Sequence, residues 1–392
     1  MQVIDKAVAL CAVGAEKTVS NEIKKLGLSV VESGFGRVSF KTGVEGLYRS
    51  LMGCRAADRI LLETAKFRAL DFDDLFEGVR CLPWEEFIPP RAGLKVSKVR
   101  SNRSKLTAET SIQAVVHKAA AERLCTKWKI NRLPEDVDGA DLRVYIEKDE
   151  ASILLDLSGE PLFKRGYRTA GGIAPLRETT AAAIILGSLW RRKFPLYDPF
   201  CGSGTIVIEA AMYAWDIAPG IGRRFTLDRL PFGNENTGRN VREEFLGKVD
   251  FSRLVRISGS DADSGAVAAA RANMERAIAL SSKKQASPPR AAAPALKVLP
   301  MEKASQKDFL GADGEEGFII TNPPYGRRLG DAESAERTYT EMGCLAKHFS
   351  GWKLAVISDH SGFESFFGRK ADSCREITNG AIGSYLYQYE KL

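Results

Sequence analysis

Histidine is nearly absent from this 392-residue sequence: His117, His348 and His360 are too few and too dispersed for a histidine-based metal centre. The seven cysteines stand singly, with no C-x-x-C pair and an odd total. That argues against a disulfide framework or a zinc site and predicts a reducing compartment. No apolar run approaches the roughly 18 residues of a membrane span. The opening MQVIDKAVALCAV is broken at Gly14, Glu16 and Lys17, so it does not read as a signal peptide. The expectation is a soluble, cytoplasmic protein with no membrane partner and no metal. What is there looks globular: 44% hydrophobic, 27% charged and 9% aromatic residues exclude collagen-like, coiled-coil and wholly disordered chains. The length predicts two to three domains.

Charge is small in sum and uneven in place. Fifty-seven Lys and Arg against 50 Asp and Glu leave +7, which permits a nucleic-acid partner without proving one. From Arg91 to Arg132, eleven basic residues face only Glu109 and Glu122, whereas nine acids and two bases lie between Leu133 and Leu162. The same pattern also describes a solvated basic helix face followed by an acidic loop.

Residues 1–60 read as a small ferredoxin-like α/β unit: strand AVALCAV, helix EKTVSNEIKKLGL closed by Gly27, strands SVVES and RVSFKT, and helix GVEGLYRSLMGC. Residues 61–163 read as a second α/β unit, with strands RILLETAKF and GLKVSKVRS, helix SIQAVVHKAAAERLCTKW, and a hairpin from LRVYIEKD and ASILLDLSG. Pro89-Pro90 and Gly171-Gly172 punctuate the chain. Beyond about residue 174, apolar strands FPLYDPF, LVRISGSD, ALKVL, GFIITNPP and WKLAVISD alternate with helices, and SYLYQYEKL closes the chain. This is the pattern of a doubly wound, mostly parallel sheet. The Ser/Pro/Ala-rich stretch 281–295 reads as a surface loop.

Four segments carry chemistry. Asp198-Pro199-Phe200-Cys201-Gly202-Ser203-Gly204-Thr205 joins a strand to a helix, where an open α/β sheet binds its ligand. Gly202 and Gly204 let backbone approach a ligand, and Asp198 can hold an amine. The third glycine of a dinucleotide fingerprint is missing, which favours a nucleoside bearing a carboxylate and an amine over a pyrophosphate; an ordinary strand–helix turn is the bland alternative. Asp261, followed by Ala262, ends the next strand and can accept both ribose hydroxyl protons. A helix N-cap is the alternative role, which Asp263 fills equally well. The long Asp198–Asp261 interval predicts that GIGRRFTLDRLPFGNENTGRN is an insertion on the ligand edge of the sheet. Asp308 can accept from an adenine amine while Phe309 covers the ring. Finally, Asn322-Pro323-Pro324-Tyr325 ends a buried strand, with prolines that hold the backbone extended. The Asn322 oxygen and the Pro323 carbonyl can accept from a substrate amine, and Tyr325 offers a face for a flat ring. Two acceptors on a conjugated amine favour the geometry in which its lone pair attacks an electrophilic methyl.

In this order the four segments resemble class I S-adenosylmethionine-dependent methyltransferases acting on exocyclic amines, over about residues 165–392. More narrowly, Arg165-Gly166-Tyr167-Arg168, APLRETTAAA at 174–183, DPFCGSGTIVIEAA and NPPYGRRLG resemble the THUMP-containing rRNA guanine-N2 methyltransferases of the RlmL family. The resemblance implies a ferredoxin-like domain at 1–60, a THUMP domain at 61–163 and a Rossmann-like methyltransferase domain with a seven-stranded sheet at 164–392. It adds Arg177, Glu178 and Thr179 as cofactor neighbours. It also implies an RNA partner, rRNA alone or in pre-ribosomal particles, gripped by Lys95, Lys98, Arg100, Arg103, Lys105 and Lys118, with the helix around SKLTAETSIQAVVHKAAAERL facing the RNA. The longest members of the family carry a second methyltransferase domain; this sequence ends at Leu392 without one, so no second activity of that kind is expected. The motif alone also suits a tRNA guanine-N2 methyltransferase, an N6-adenine nucleic-acid methylase or a glutamine-methylating enzyme, and the basic N-terminal half favours RNA. An RNA-binding protein that has lost catalysis is the remaining rival.

Overall fold

A computed structural model describes residues 4–134, 139–168, 176–188, 190–281, 293–306, 316–325 and 331–392. Two seven-stranded sheets organise them. The first begins with β1 (Lys6–Cys11), α1 (Glu16–Lys25), β2 (Ser29–Gly34), β3 (Arg37–Lys41), α2 (Val44–Gly53) and β4 (Ala57–Arg68). Glu16 in the first turn of α1 and Lys24 and Lys25 in the last complement the helix dipole. Gly27 then takes the left-handed conformation (φ +81°) that lets the chain reverse. There follow α3 (Phe72–Arg80), α4 (Trp84–Phe87), β5 (Leu94–Asn102), α5 (Glu109–Trp128), β6 (Ala140–Glu147) and β7 (Glu150–Asp156).

The strand order is β2-β3-β1-β4-β7-β6-β5, so the two N-terminal units share one continuous sheet. The 12-residue strand β4 makes the join, pairing with β1 through its first half and with β7 from Leu61 to Arg68. Residues 60 and 61 therefore lie side by side within one strand. Apolar residues alternate along β6, whose Ala140, Leu142, Val144 and Ile146 are all buried.

The second sheet comprises β8 (Leu196–Asp198), β9 (Ile257–Asp261), β10 (Ala295–Val298), β11 (Phe318–Thr321), β12 (Lys353–Ser358), β13 (Ser373–Asn379) and β14 (Ile382–Tyr389), in the order β10-β9-β8-β11-β12-β14-β13. The first five strands and β13 run in one direction, and β14, between β12 and β13, is antiparallel to both. Its helices include α6 (Glu178–Gly187), α7 (Thr205–Ala214), α8 (Glu235–Gly247) and α9 (Ser264–Ser281). Strand order reverses direction between β8 and β11, and that switch point puts the ends of Asp198 and Thr321 side by side. β13 has no counterpart among the strands expected from sequence, because SCREITN is largely polar and lies at the sheet edge, with only Ile377 and Asn379 buried.

One expectation is overturned. The segment that separates Asp198 from Asp261 lies on the opposite edge of the sheet from the ligand loops. Helix α7 starts at the carboxyl end of β8 and runs back, so the chain beyond Ala214 emerges where the strands begin. There, Asp216 pairs with Arg192 and Arg253, and Leu196 N–H donates to the Arg256 carbonyl. The insertion packs on the ferredoxin-like unit instead: Gly220 N–H donates to the Met52 carbonyl, and Arg49 of α2 bridges to Glu244 of α8 at 2.5 Å.

A buried polar cluster locks the two sheets together. The Glu22 carboxylate accepts from Arg55 N–H, Ala56 N–H and the Cys54 thiol. The Arg55 guanidinium donates to the carbonyls of Met212 in the last turn of α7 and of Ile217 just beyond it, while its own carbonyl accepts from Arg165. Arg165 pairs with Glu209 of α7 at 3.4 Å, and both side chains are excluded from solvent. Replacing one partner strands a buried charge, which costs about 3–5 kcal/mol. Glu209→Gln is therefore expected to destabilise the chain by that amount in urea unfolding. A loss below about 1 kcal/mol would show that Arg165 is satisfied by its carbonyl partners alone.

Candidate active site

The site is built at the carboxyl edge of the second sheet. Asp198 ends β8 and is buried; its Oδ1 accepts from Thr321 Oγ1 at 2.7 Å and from Phe200 N–H at 3.1 Å. The Thr321 contact ties the end of β8 to the end of β11, so the Asp198 loop and the Asn322 motif are positioned by one hydrogen bond. Between Asp198 and α7 the chain turns through Gly202 (φ +51°) and Gly204 (φ +88°). A Cβ on Gly204 would sit 3.0 Å from the Ala270 methyl of α9, so this glycine also permits helix packing. A Cβ on Gly202 would meet nothing within 4 Å among the described residues, leaving open space beside the loop. Pro199 is buried and Phe200 half-buried. Thr205, the first residue of α7, accepts from the Arg168 guanidinium at 2.5 Å.

Asp261 folds over the same loop: Oδ2 accepts from Gly202 N–H at 2.9 Å and Oδ1 from Asp263 N–H at 3.0 Å. The cap of α9 is Asp263, which accepts from Gly265 N–H. Asp261 is thus free of the capping role, and a carboxylate with about four acceptor directions retains two for a ligand. Ala262 beside it is exposed.

At the end of β11, Asn322 is half-buried, Pro323 buried, Pro324 exposed and Tyr325 half-buried. Asn322 Oδ1 is fully shielded from solvent and accepts no hydrogen bond from any described residue. A buried acceptor without a donor costs on the order of 1–3 kcal/mol, a cost that a donor brought by a ligand would relieve. Tyr339, which sequence reasoning missed, donates to the Pro324 carbonyl at 2.8 Å and lies 3.1 Å from Ser358 Oγ at the end of β12. It supports the turn from beneath, and no local sequence signal announces it.

Arg177, Glu178 and Thr179 open α6. Arg177 and Thr179 are both held by Asp58 of β4, and the Arg177 guanidinium lies 4.6 Å from the centre of the Phe163 ring. Glu178 is buried against Arg168 at 3.4 Å. Arg168 therefore links Glu178 to Thr205 of the Asp198 loop. Asp308 and Phe309 lie outside the described residues, as do Gly171-Gly172 and most of the 281–295 stretch.

The basic candidates sit far from this site in the chain. Lys95, Lys98 and Arg100 lie on β5, the edge strand of the first sheet; Arg103 and Lys105 come after it, and Lys118 alone is on α5. All but half-buried Lys98 are exposed. Arg100 pairs with Glu109 at 2.8 Å, and Lys118 stands 5.7 Å over the Phe76 ring. A cleft of about 1160 Å³ lies between the N-terminal sheet and the insertion, lined by residues including Lys95, Asp141, Arg223 and Arg239. It is remote from the carboxyl edge.

A seven-stranded sheet of this order, with an acidic residue closing each of two adjacent strands and Asn-Pro-Pro-Tyr after a fourth, defines a class I methyltransferase using S-adenosylmethionine. Comparison with known proteins narrows the class. The RMKL-like methyltransferase domain family matches residues 165–388, the RlmL ferredoxin-like domain residues 6–61 and the THUMP domain residues 69–156. The chain belongs to this RMKL-like methyltransferase family. It is 35% identical to "Putative RNA methyltransferase YpsC" of Bacillus subtilis (strain 168), covering 97% of this chain and 95% of that one. It is 32% identical to ribosomal RNA large subunit methyltransferase K/L of Syntrophotalea carbinolica, covering 96% of this chain and 52% of the relative, so it spans about half of that protein. Its structure superposes on "SMU.472, a putative methyltransferase complexed with SAH" with a TM-score of 0.86 at 36% identity, covering 100% and 99% of the two chains.

The residues present fit S-adenosylmethionine. Gly202 leaves space beside an open loop, Asp261 retains acceptor capacity, and Asp198 presents a carboxyl whose Oδ2 takes none of the bonds that fix Oδ1. Burial pushes the Asp198 carboxyl up to about 7, against the hydrogen bonds from Thr321 and Phe200 that favour its ionised form. A ligand ammonium at Asp198 binds the ionised carboxylate, so binding below that value must release a proton. Affinity for SAH is therefore expected to fall by up to tenfold per pH unit below pH 7 and to level off above it. Calorimetric titration across pH 5.5–8 measures this; a flat profile would remove the ammonium from Asp198.

Proposed function

We propose that this chain transfers a methyl group to the exocyclic N2 amine of a guanine in large-subunit ribosomal RNA, in the cytoplasm, on naked RNA or on assembling ribosomal particles. The observation that carries the reading is the buried Oδ1 of Asn322, which accepts no hydrogen bond from any described residue, at the edge where Asp198 and Asp261 lie. The rRNA methyltransferase names of the half-matching relatives and the THUMP domain support RNA as the polymer.

Asp198, Pro199, Phe200, Gly202, Gly204, Thr205, Asp261 and Ala262 would hold S-adenosylmethionine, with Arg177, Glu178 and Thr179 flanking it and Asp308 and Phe309 at the adenine. The cofactor supplies an electrophilic methyl on a sulfonium. The chain's own residues do the rest by placement. Asn322 Oδ1 and the Pro323 carbonyl accept the two amine hydrogens, which turns the amine lone pair out of conjugation with the ring and towards the methyl. Tyr339 occupies the Pro324 carbonyl and so fixes the turn in which Pro323 presents its own. Tyr325 stacks on the base, which must leave its RNA stack to reach this depth. The exposed cations Lys95, Arg100, Arg103, Lys105 and Lys118, with Lys98, grip phosphates and supply affinity more than sequence choice.

An adenine N6 or a tRNA guanine would satisfy the same two acceptors, so nucleoside analysis after transfer of a labelled methyl to RNA decides the base and the polymer. N2-methylguanosine in large-subunit RNA is expected; N6-methyladenosine, or label in tRNA alone, would overturn the assignment. Asn322→Ala is expected to lower kcat about 100-fold, in the range of losing one preorganised polar contact to the reacting group, while SAH affinity stays within twofold. Turnover within twofold of wild type would remove the acceptor role from Asn322.

A further inference from the structure

Phe35 is the most solvent-exposed of the large apolar side chains described, at 84%. It stands between Gly34 and Gly36 at the tip of the β2–β3 hairpin, with Gly36 in the left-handed region at φ +68°. The tip is rigid. Glu16 clamps it by accepting from Gly36 N–H at 2.8 Å and Gly14 N–H at 2.9 Å, and Cys11 N–H donates to the Gly36 carbonyl at 2.9 Å.

The same clamp fixes the tip to the methyltransferase sheet. Val13 exchanges two hydrogen bonds with Thr378 of β13, at 3.0 and 3.1 Å. Gly14 presses so closely on β13 that a Cβ there would lie 2.2 Å from the Glu376 carbonyl oxygen. The next residue along, Asn379, accepts from Arg177 N–H at 3.2 Å. The β13–β14 turn projects past the carboxyl ends of the parallel strands, because Ser358, the last residue of β12, already pairs with Tyr385. Three strand spacings, roughly 14 Å, separate β13 from β11 and its Asn322 motif. Phe35 thus sits on the flank of the active-site edge, within a few nucleotides of the target.

We propose that Phe35 is a stacking platform for an unpaired base of the substrate RNA a few nucleotides from the methylated one; this rests on the RNA reading given above. An exposed aromatic ring on a preorganised tip suits a nucleobase, since every base has a face to stack and the rigid support removes most of the ordering cost. Arg37, the next residue but one, brings positive charge to the same flank. The hairpin is ill-suited to receive a protein strand: β2 carries a bulge between Val30 and Glu32, which disrupts the edge that such a strand would extend.

Three measurements test the assignment. F35A is expected to raise KM for RNA about tenfold with kcat within twofold, and Phe35→Tyr to restore it. An unchanged KM, or a loss confined to kcat, overturns the platform. F35W provides a readout independent of catalysis: its fluorescence, taken as a difference from wild type, is expected to be quenched saturably by a single-stranded mixed-sequence oligoribonucleotide. No quench beyond wild type overturns the proposal. Self-association of the wild-type chain at micromolar concentration that F35A abolishes would also overturn it by assigning the tip to a protein contact. Absence of methyl transfer by the wild type, with the F35W quench retained, would count against the proposed reaction and leave the platform standing.

Discussion

The arrangement of this molecule depends on a single buried ionic node. Arg165 and Glu209 face each other without solvent, Arg165 also reaches the Arg55 carbonyl, and the Arg55 guanidinium closes on the end of α7. Burial of two charges is costly, and their attraction with a full set of hydrogen bonds offsets that cost only in one geometry. Such a node contributes little net stability compared with an apolar cluster of equal volume. Its value here is that any other placement of the ferredoxin-like unit against the methyltransferase sheet leaves the Arg55 guanidinium, and the Arg165 N–H that reaches the Arg55 carbonyl, without these acceptors.

Helix α7 carries that constraint to the site. Its first residue, Thr205, closes the Asp198 loop, Glu209 at mid-helix belongs to the node, and the carbonyl of Met212 near its end receives Arg55. Ten residues of helix make a rod of about 15 Å, so the loop and the inter-sheet contact move as one body. Two further ties run in parallel: Asp58 of β4 holds Arg177 and Thr179, and Val13 pairs with Thr378. The N-terminal sheet is therefore fixed to the catalytic sheet on both flanks, and exposed cations on β5 keep a constant orientation to Asn322.

The chemistry is legible in the sequence where residue type and local conformation coincide. Asp198, the two glycines and the Asn-Pro-Pro-Tyr run stand at strand ends because prolines and left-handed glycines can stand in few other places. Partners far away in sequence are not legible. Thr321 meets Asp198 across 123 residues, and Tyr339 reaches Pro324 from a later helix, each using side chains that elsewhere would be unremarkable core. Spacing along the chain puts the insertion on the wrong edge because it says nothing of direction; only the reversal at α7 does. That β4 is one long strand serving both N-terminal units is not legible, since its RILLETAKF run carries no turn residue to mark either a break or a join. The cationic run is visible, yet its place on an edge strand rather than a helix face depends on sheet order.

The Asp198–Thr321 bond makes the two halves of the site interdependent. Both bonds that Asp198 accepts fall on Oδ1, so Oδ2 is the oxygen left to meet a cation. Ionising the carboxyl strengthens the hydroxyl bond from Thr321, since a charged acceptor binds roughly twice as strongly as a neutral one. Thr321 is followed directly by Asn322, whose buried oxygen has no donor among the described residues. A cation at Asp198 would therefore strengthen the tie between the ends of β8 and β11, one residue from Asn322. The burial that raises the carboxyl to about 7 is what leaves this bond sensitive to the ligand: a carboxylate already fully ionised would hold Thr321 equally well with the cofactor site empty.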